Sequence, residues 1–190
     1  MKIPVADAAS MRALLRQKGF RVHKPRVFEQ NLVLDDAQGS VKARNLLLRL
    51  RTAGKTVTCT FKNKEVAGVH KRREEREFHL DNLEEGLAVF EGLGYSPAWK
   101  YEKYRTEFVR AQEGGEVEPG IITLDETPIG TFVELEGPAR WIDRTAKGLG
   151  FSRRDYITAS YGALFFQWCN EYGIESNAMT FEKSANLKLH

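Results

Sequence analysis

Cysteine is scarce in this chain of 190 residues: only Cys59 and Cys169 occur. Two thiols make no disulfide framework, and neither stands at metal-ligand spacing from His23, His70, His79 or His190, which argues against zinc. Long apolar runs are missing as well. No stretch approaches the roughly 18 uninterrupted apolar residues of a membrane span, and Met1-Lys2-Ile3-Pro4-Val5 runs into Asp7 without the apolar region of a signal peptide. The expectation is a cytoplasmic protein with no membrane partner. Nor does charge of one sign dominate: 29 basic residues against 26 acidic leave a formal net charge of +3, which by itself argues little for nucleic acid. What is present is a 42% hydrophobic and 29% charged composition, that of a globular chain able to bury about 70% of its unfolded surface.

Apolar residues recur at helical spacing in four segments. Asp7 caps a helix running to about Lys18, which aligns Met11, Leu14 and Leu15 and stops at Gly19. A second follows Asp81, with Leu83, Leu87 and Phe90 on one side, Glu84 three residues after that cap, and Gly92 and Gly94 closing it. A third begins at Pro138 and carries Ile142, Ala146 and Leu149 to Gly150. The fourth, Asp155 to Tyr172, aligns Ile157, Tyr161, Leu164, Phe165 and Trp168. Lys18-Gly19-Phe20, Leu93-Gly94-Tyr95 and Leu149-Gly150-Phe151 repeat one helix-exit pattern. Beyond Gly173 the chain is polar and aperiodic, so residues 1–172 are expected to form a single domain and 173–190 a loose tail.

Between the helices the period changes to two. Seven strands are read: Val27–Asp35, Leu46–Arg51, Val57–Lys62, Arg73–Leu80, Tyr101–Val109, Ile121–Asp125 and Phe132–Glu136. Ala53-Gly54 turns between the second and third, and Gly114-Gly115 to Pro119-Gly120 between the fifth and sixth, which implies antiparallel pairing. Each strand sets ionic side chains against apolar ones. Arg49 and Arg51 oppose Leu48 and Leu50; Thr58, Thr60 and Lys62 oppose Val57, Cys59 and Phe61. Arg73, Glu75 and Glu77 oppose Phe78 and Leu80; Lys103, Arg105 and Glu107 oppose Tyr104 and Phe108; Glu134 and Glu136 oppose Val133 and Leu135.

A single strand of this kind is an ordinary half-wet strand. Five together, almost undiluted by Ser, Asn or Gln, ask for a polyvalent counter-ion. The fold expected is α+β, a closed antiparallel β-barrel with helices packed outside, gathering these groups in one tunnel. A polyphosphate with its metal suits such a wall: Arg and Lys meet phosphoryl oxygens, and carboxylates supply the hard oxygen ligands of magnesium or manganese. Nucleic acid fits poorly, because acids alternate with bases along the same faces. The run of Lys64, His70, Lys71, Arg72 and Arg73 sits in a turn and reads as solvated. Trp99, Trp141 and Trp168 lie in apolar or helical surroundings where packing explains them.

The succession Phe28-Glu29-Gln30-Asn31, Leu47-Leu48-Arg49-Leu50-Arg51, Thr60-Phe61-Lys62, Arg73-Glu74-Glu75-Arg76-Glu77, Tyr101-Glu102-Lys103-Tyr104-Arg105, Leu124-Asp125-Glu126 and Gly130-Thr131-Phe132-Val133-Glu134-Leu135-Glu136-Gly137, closed by Ser160-Tyr161, resembles the CYTH superfamily of triphosphate tunnel metalloenzymes. That resemblance implies a small-molecule triphosphate substrate, with Lys2, Arg49, Arg51, Lys62, Arg73, Lys103 and Arg105 as its clamp. It implies Glu134, Glu136 and Asp125 around a magnesium or manganese ion, with Glu75, Glu77 and Lys62 in the catalytic step. Glu29 matches an inward acidic or amide position, and Tyr161 lies where family members contact substrate, while its helical spacing with Ile157 and Leu164 equally suits a place in the core. Family members open with a Glu-x-Glu-x-Lys strand whose glutamates hold metal; here Lys2 alone matches it, and the expectation is a start upstream of Met1. The resemblance implies a triphosphatase, with a class IV adenylate cyclase or a non-catalytic polyphosphate-binding module as alternatives. The sequence allows a homodimer.

Overall fold

Segments of period two become strands and segments of helical period become helices in a computed structural model that describes residues 1–64, 74–110 and 118–182. In chain order the elements are β1 (Lys2–Val5), α1 (Ala8–Gln17), β2 (Arg21–Asp36), α2 (Ser40–Ala43), β3 (Leu47–Ala53), β4 (Thr56–Lys62), β5 (Glu75–Leu80), α3 (Leu83–Gly92), β6 (Tyr95–Val109), β7 (Ile121–Thr127), β8 (Gly130–Glu136), α4 (Ala139–Gly148), a 3-10 turn (Arg153–Asp155), α5 (Tyr161–Tyr172) and β9 (Ala178–Met179). The class is α+β. The strands pair in the order β1-β8-β7-β6-β2-β3-β4-β5, with β9 added to β6. Among the described residues no backbone pairing joins β1 to β5.

The chain packs as two compact units, Met1–Val27 with Tyr104–Trp168, and Phe28–Lys103 with Cys169–His190; β2 and β6 contribute residues to both. In the first unit Ile3, Phe108, Ile122, Leu124, Val133 and Leu135 bury one sheet face against Met11 and Leu15 of α1 and Trp141, Ile142 and Ala146 of α4. In the second, Leu34, Leu48, Leu50 and Cys59 meet Val41 of α2 and Leu83, Leu87 and Phe90 of α3. Each such aliphatic side chain is worth about 1.5–3 kcal/mol when fully buried, so the apolar faces hold the units together and leave the ionic faces available for other work.

Several boundaries differ from the sequence expectation for identifiable reasons. Strand β2 starts at Arg21 instead of Val27, because Arg21–Arg26 are all exposed and show no alternation of burial. Strand β6 likewise starts at Tyr95 instead of Tyr101. Asn82, not Asp81, caps α3: its side-chain oxygen accepts from the backbone N–H groups of Glu84 and Glu85. Helix α5 starts at Tyr161 instead of Asp155. Ser152 and Asp155 close a capping box around the 3-10 turn, and Ser160 Oγ then accepts from the N–H of Ala163 to open the helix. The stretch after Gly173 is not loose throughout, since β9 pairs in parallel with Lys100 and Tyr101 and buries Ala178, Met179 and Thr180. The shared exit pattern has a single cause: Gly19, Gly94 and Gly150 adopt φ of 82°, 88° and 91°, where a side chain would be strained.

Candidate functional site

Antiparallel register turns the alternation within each strand into rows across strands. In the second unit Arg49 lies opposite Thr60, and Thr60 opposite Glu77; the flanking row sets Asn31, Arg51, Thr58 and His79 side by side. Lys62 lies opposite Glu75 and its ammonium sits 2.7 Å from that carboxylate. Arg49 donates to Thr60 Oγ1 at 3.0 Å and to the Tyr101 hydroxyl at 3.3 Å, while Glu77 approaches it at 3.6 Å. Thr60 in turn donates to Glu77 at 2.6 Å. Arg51 donates from Nε to Asn31 Oδ1 at 2.8 Å, and its guanidinium lies 3.5 Å from Glu29. Lys103, only 2% exposed, lies 3.6 Å from the other oxygen of Glu29.

The electrostatics of this face are set by its cations. Burial works against the ionised form of Glu77, but Thr60, Glu75, Arg49 and Arg51 together hold it below the usual carboxylate range. Burial pushes the Tyr101 phenol up, yet Arg49, Arg51 and Lys103 outweigh it and bring the group down to about 8. Removing an ion such as Lys103 from water costs several kcal/mol, and apolar replacements of similar volume are often no less stable. A face of buried ionic groups is therefore poorly explained by stability and well explained by a charged ligand.

A second cluster lies within the first unit. Arg105 donates from Nε and Nη2 to both oxygens of Asp125, at 2.7 and 2.6 Å, and reaches Glu134 at 2.5 Å. Asp125 is fully buried and also accepts from the Tyr161 hydroxyl at 2.8 Å. Lys2, opposite Glu134 on β1, lies 3.2 Å from its carboxylate and 4.1 Å from the centre of the Tyr161 ring. Burial, reinforced by Glu134 and Asp125, raises the Tyr161 phenol well above its ordinary value and keeps it a hydrogen-bond donor. Glu136 follows two residues after Glu134 but is exposed, and it lines a cleft of about 840 Å³ with Arg21, His23 and Glu118.

The expected residues thus fall into two groups, Arg49, Arg51, Lys62, Glu75, Glu77 and Lys103 in one unit and Lys2, Arg105, Asp125 and Glu134 in the other. Arg73, with His70, Lys71 and Arg72, lies outside the described residues. Alternation alone assigns no role to Tyr101 or Asn31, although Tyr101 stands two residues before Lys103 and so shares its face. Among the described residues no three His, Cys, Asp or Glu side chains gather as a preformed metal cage. Magnesium usually takes one or two carboxylates and completes its shell with water and ligand phosphates, so the donor chemistry of Glu134 and Glu136 fits a metal that arrives with its ligand, Glu134 first exchanging its contacts with Lys2 and Arg105. Asp125 fits less well, its oxygens being held by Arg105 and Tyr161.

A family model described as the CYTH domain matches residues 1–148. No curated protein sequence matches. Among solved structures, a protein classed provisionally as an adenylate cyclase from Vibrio parahaemolyticus is 19% identical, with a TM-score of 0.69 over 87% of this chain and 95% of its own. The PH1819 protein from Pyrococcus horikoshii OT3 is 17% identical, with a TM-score of 0.72 over 88% of this chain and 97% of its own. A Hippeastrum protein assigned as an adenylyl cyclase, for which a dominant triphosphatase activity is described, is 19% identical, with a TM-score of 0.62 over 88% of this chain and 94% of its own. At these identities the likeness is one of fold.

Proposed function

The chain belongs to the CYTH domain family, and from that premise we propose that it binds a triphosphate and hydrolyses it with magnesium or manganese. The observation that carries the reading is the ionic face of Arg49 and Arg51 at alternate positions of β3, Lys62 on the paired strand β4, and Lys103 on β6, which β2 separates from β3; Arg49 and Lys103 are buried. By the family resemblance Arg73, Lys2 and Arg105 are proposed as further phosphate-binding residues. The closed barrel expected of the family belongs to the same proposal.

Catalysis in such a site is positioning and charge neutralisation. Cations hold phosphoryl oxygens in place and absorb the charge that moves onto the leaving group. Glu75 and Glu77 orient the attacking water, Glu77 being kept ionised against burial by its hydrogen bonds with Thr60 and Glu75 and by Arg49 and Arg51, and therefore able to accept a water proton in a hydrogen bond. Glu134 and Glu136 would hold the metal ion, which supplies further neutralisation at phosphoryl oxygens. Asp125 is assigned to holding Arg105 in direction, in place of direct metal binding. Hydrolysis is preferred to cyclisation because the sequence carries no recognisable adenine-reading motif, and the triphosphatase activity of the Hippeastrum protein favours the same reading.

Purified protein with magnesium or manganese is expected to release phosphate from tripolyphosphate. Arg51→Ala, Lys103→Ala and Glu136→Ala are each expected to slow release at least about tenfold, equivalent to about 1.4 kcal/mol. Unchanged rates in all three would end this assignment, and cyclic AMP with pyrophosphate from ATP would replace hydrolysis by cyclisation.

A further inference from the structure

We propose that Tyr101 is a positioning residue of the anion-binding face, its hydroxyl fixing the direction of Arg49 and setting how much of that residue's charge is free for ligand. The inference rests on the triphosphate reading above. A guanidinium on a long flexible stem has rotamer entropy to lose, so a site that uses one must hold it. Arg49 is held at both ends of its fork, by Tyr101 Oη through Nη1 and by Thr60 Oγ1 through Nη2. Tyr101 is itself immobilised. Its ring stacks on Trp99 at 4.5 Å between centroids and 19° between planes, its backbone lies in register with Met179 of β9, and only 6% of the residue is exposed.

The groups around the phenol are unequal in sign. Arg49 and Arg51 reach it from β3 and Lys103 from its own strand. On the acidic side Glu29 is shared between Arg51 and Lys103, and Glu77 is engaged by Thr60 and Arg49. Glu102 is bound by Gln30 and the Phe181 N–H. Met179 brings no charge from β9. With burial opposed by three cations, the phenol titrates at about 8.

The consequence has a definite sign. Below that pH the phenol is neutral, and Arg49 keeps its full charge for a phosphoryl oxygen. Above it, tyrosinate pairs with Arg49 and repels the anion. Ligand affinity falls as pH rises through about 8, and binding near that pH takes up a proton.

The test is calorimetric titration of tripolyphosphate with magnesium at about pH 7 and about pH 9.5, on the natural protein and on Tyr101→Phe, which keeps the ring and its stack on Trp99. Over that interval the natural protein should lose at least about tenfold more affinity than the variant, since the ligand's own ionisation acts on both alike. In parallel, near-ultraviolet absorbance should show one phenol titrating near 8 in the ligand-free natural protein, absent from Tyr101→Phe and displaced upward by saturating tripolyphosphate. Equal pH dependence in the two proteins overturns the role of Tyr101 and leaves the triphosphate reading standing. Failure of the natural protein to bind at either pH overturns both.

Discussion

Tyr101 and Tyr161 show how far one side-chain type can be driven in opposite directions. Three cations lower the first; burial and two carboxylates raise the second. Their effects on stability are opposite in pH as well. The contribution of Tyr101 is present above its ordinary value near 10 and lost as pH falls through about 8, whereas that of Tyr161 is present below 10 and lost as pH rises through its elevated value. Tyr161→Phe removes a donor from fully buried Asp125, and is expected to cost about 1–3 kcal/mol at neutral pH, read as a lower denaturant midpoint at unchanged slope. An unchanged midpoint would mean that Arg105 alone satisfies Asp125. Cys59 offers a second check, since burial pushes its thiol up to about 11: it should resist a thiol reagent at neutral pH until the protein is unfolded. The identities of Arg49, Arg51, Lys103 and Glu134 as ionic-face residues were legible in the sequence because each alternates with oil. Their partners were not, because the contact of Arg49 with Tyr101 or of Arg105 with Asp125 depends on which strands pair.

Elements were legible in proportion to their periodicity. The helices around Met11, Leu83 and Ile142 and the strands carrying Leu50, Cys59 and Val133 bury a face, and their patterns say so. Strands β1 and β9 have four and two residues, too few for a period, and the first part of β2 is wet on both sides. The turns carry a separate message. Gly94 sits at φ 88° with no atom within 4 Å of an added Cβ, so Gly94→Ala should cost only the left-handed conformation, about 1–2 kcal/mol. Gly120 is different: an added Cβ would lie 2.4 Å from the Trp141 ring, which is 2% exposed and tied through Nε1 to Glu118 at 2.7 Å. Gly120→Ala must displace a buried indole, and is expected to cost about 3 kcal/mol, at the upper end for overpacking. Chemical denaturation of the two variants side by side ranks these costs, and equal losses would show that Trp141 yields without resistance.

At the scale of the molecule the net charge of +3 was uninformative, because it averages over faces of different balance. In one unit Lys2 and Arg105 are matched by Asp125 and Glu134, so that cluster cancels internally. In the other, Arg49, Arg51, Lys62 and Lys103 outnumber Glu29, Glu75 and Glu77 by one cation among these described residues, a balance that the proposed anion would complete. A ligand bound there stabilises the folded state by mass action. At about 100 times its dissociation constant the gain is about 2.7 kcal/mol, which for a chain of this length raises the melting temperature by about 5–10 °C. Tripolyphosphate should produce this shift in a thermal melt, and Arg51→Ala should reduce it. The salt dependence separates a site from a cloud of counter-ions. Exposed charges are screened beyond about 8 Å at physiological ionic strength, while Arg49 and Lys103, buried to 7% and 2% exposure, are screened far less. A shift that survives added salt therefore comes from the buried face, and one that vanishes with modest salt would show that the anion meets only the outer surface.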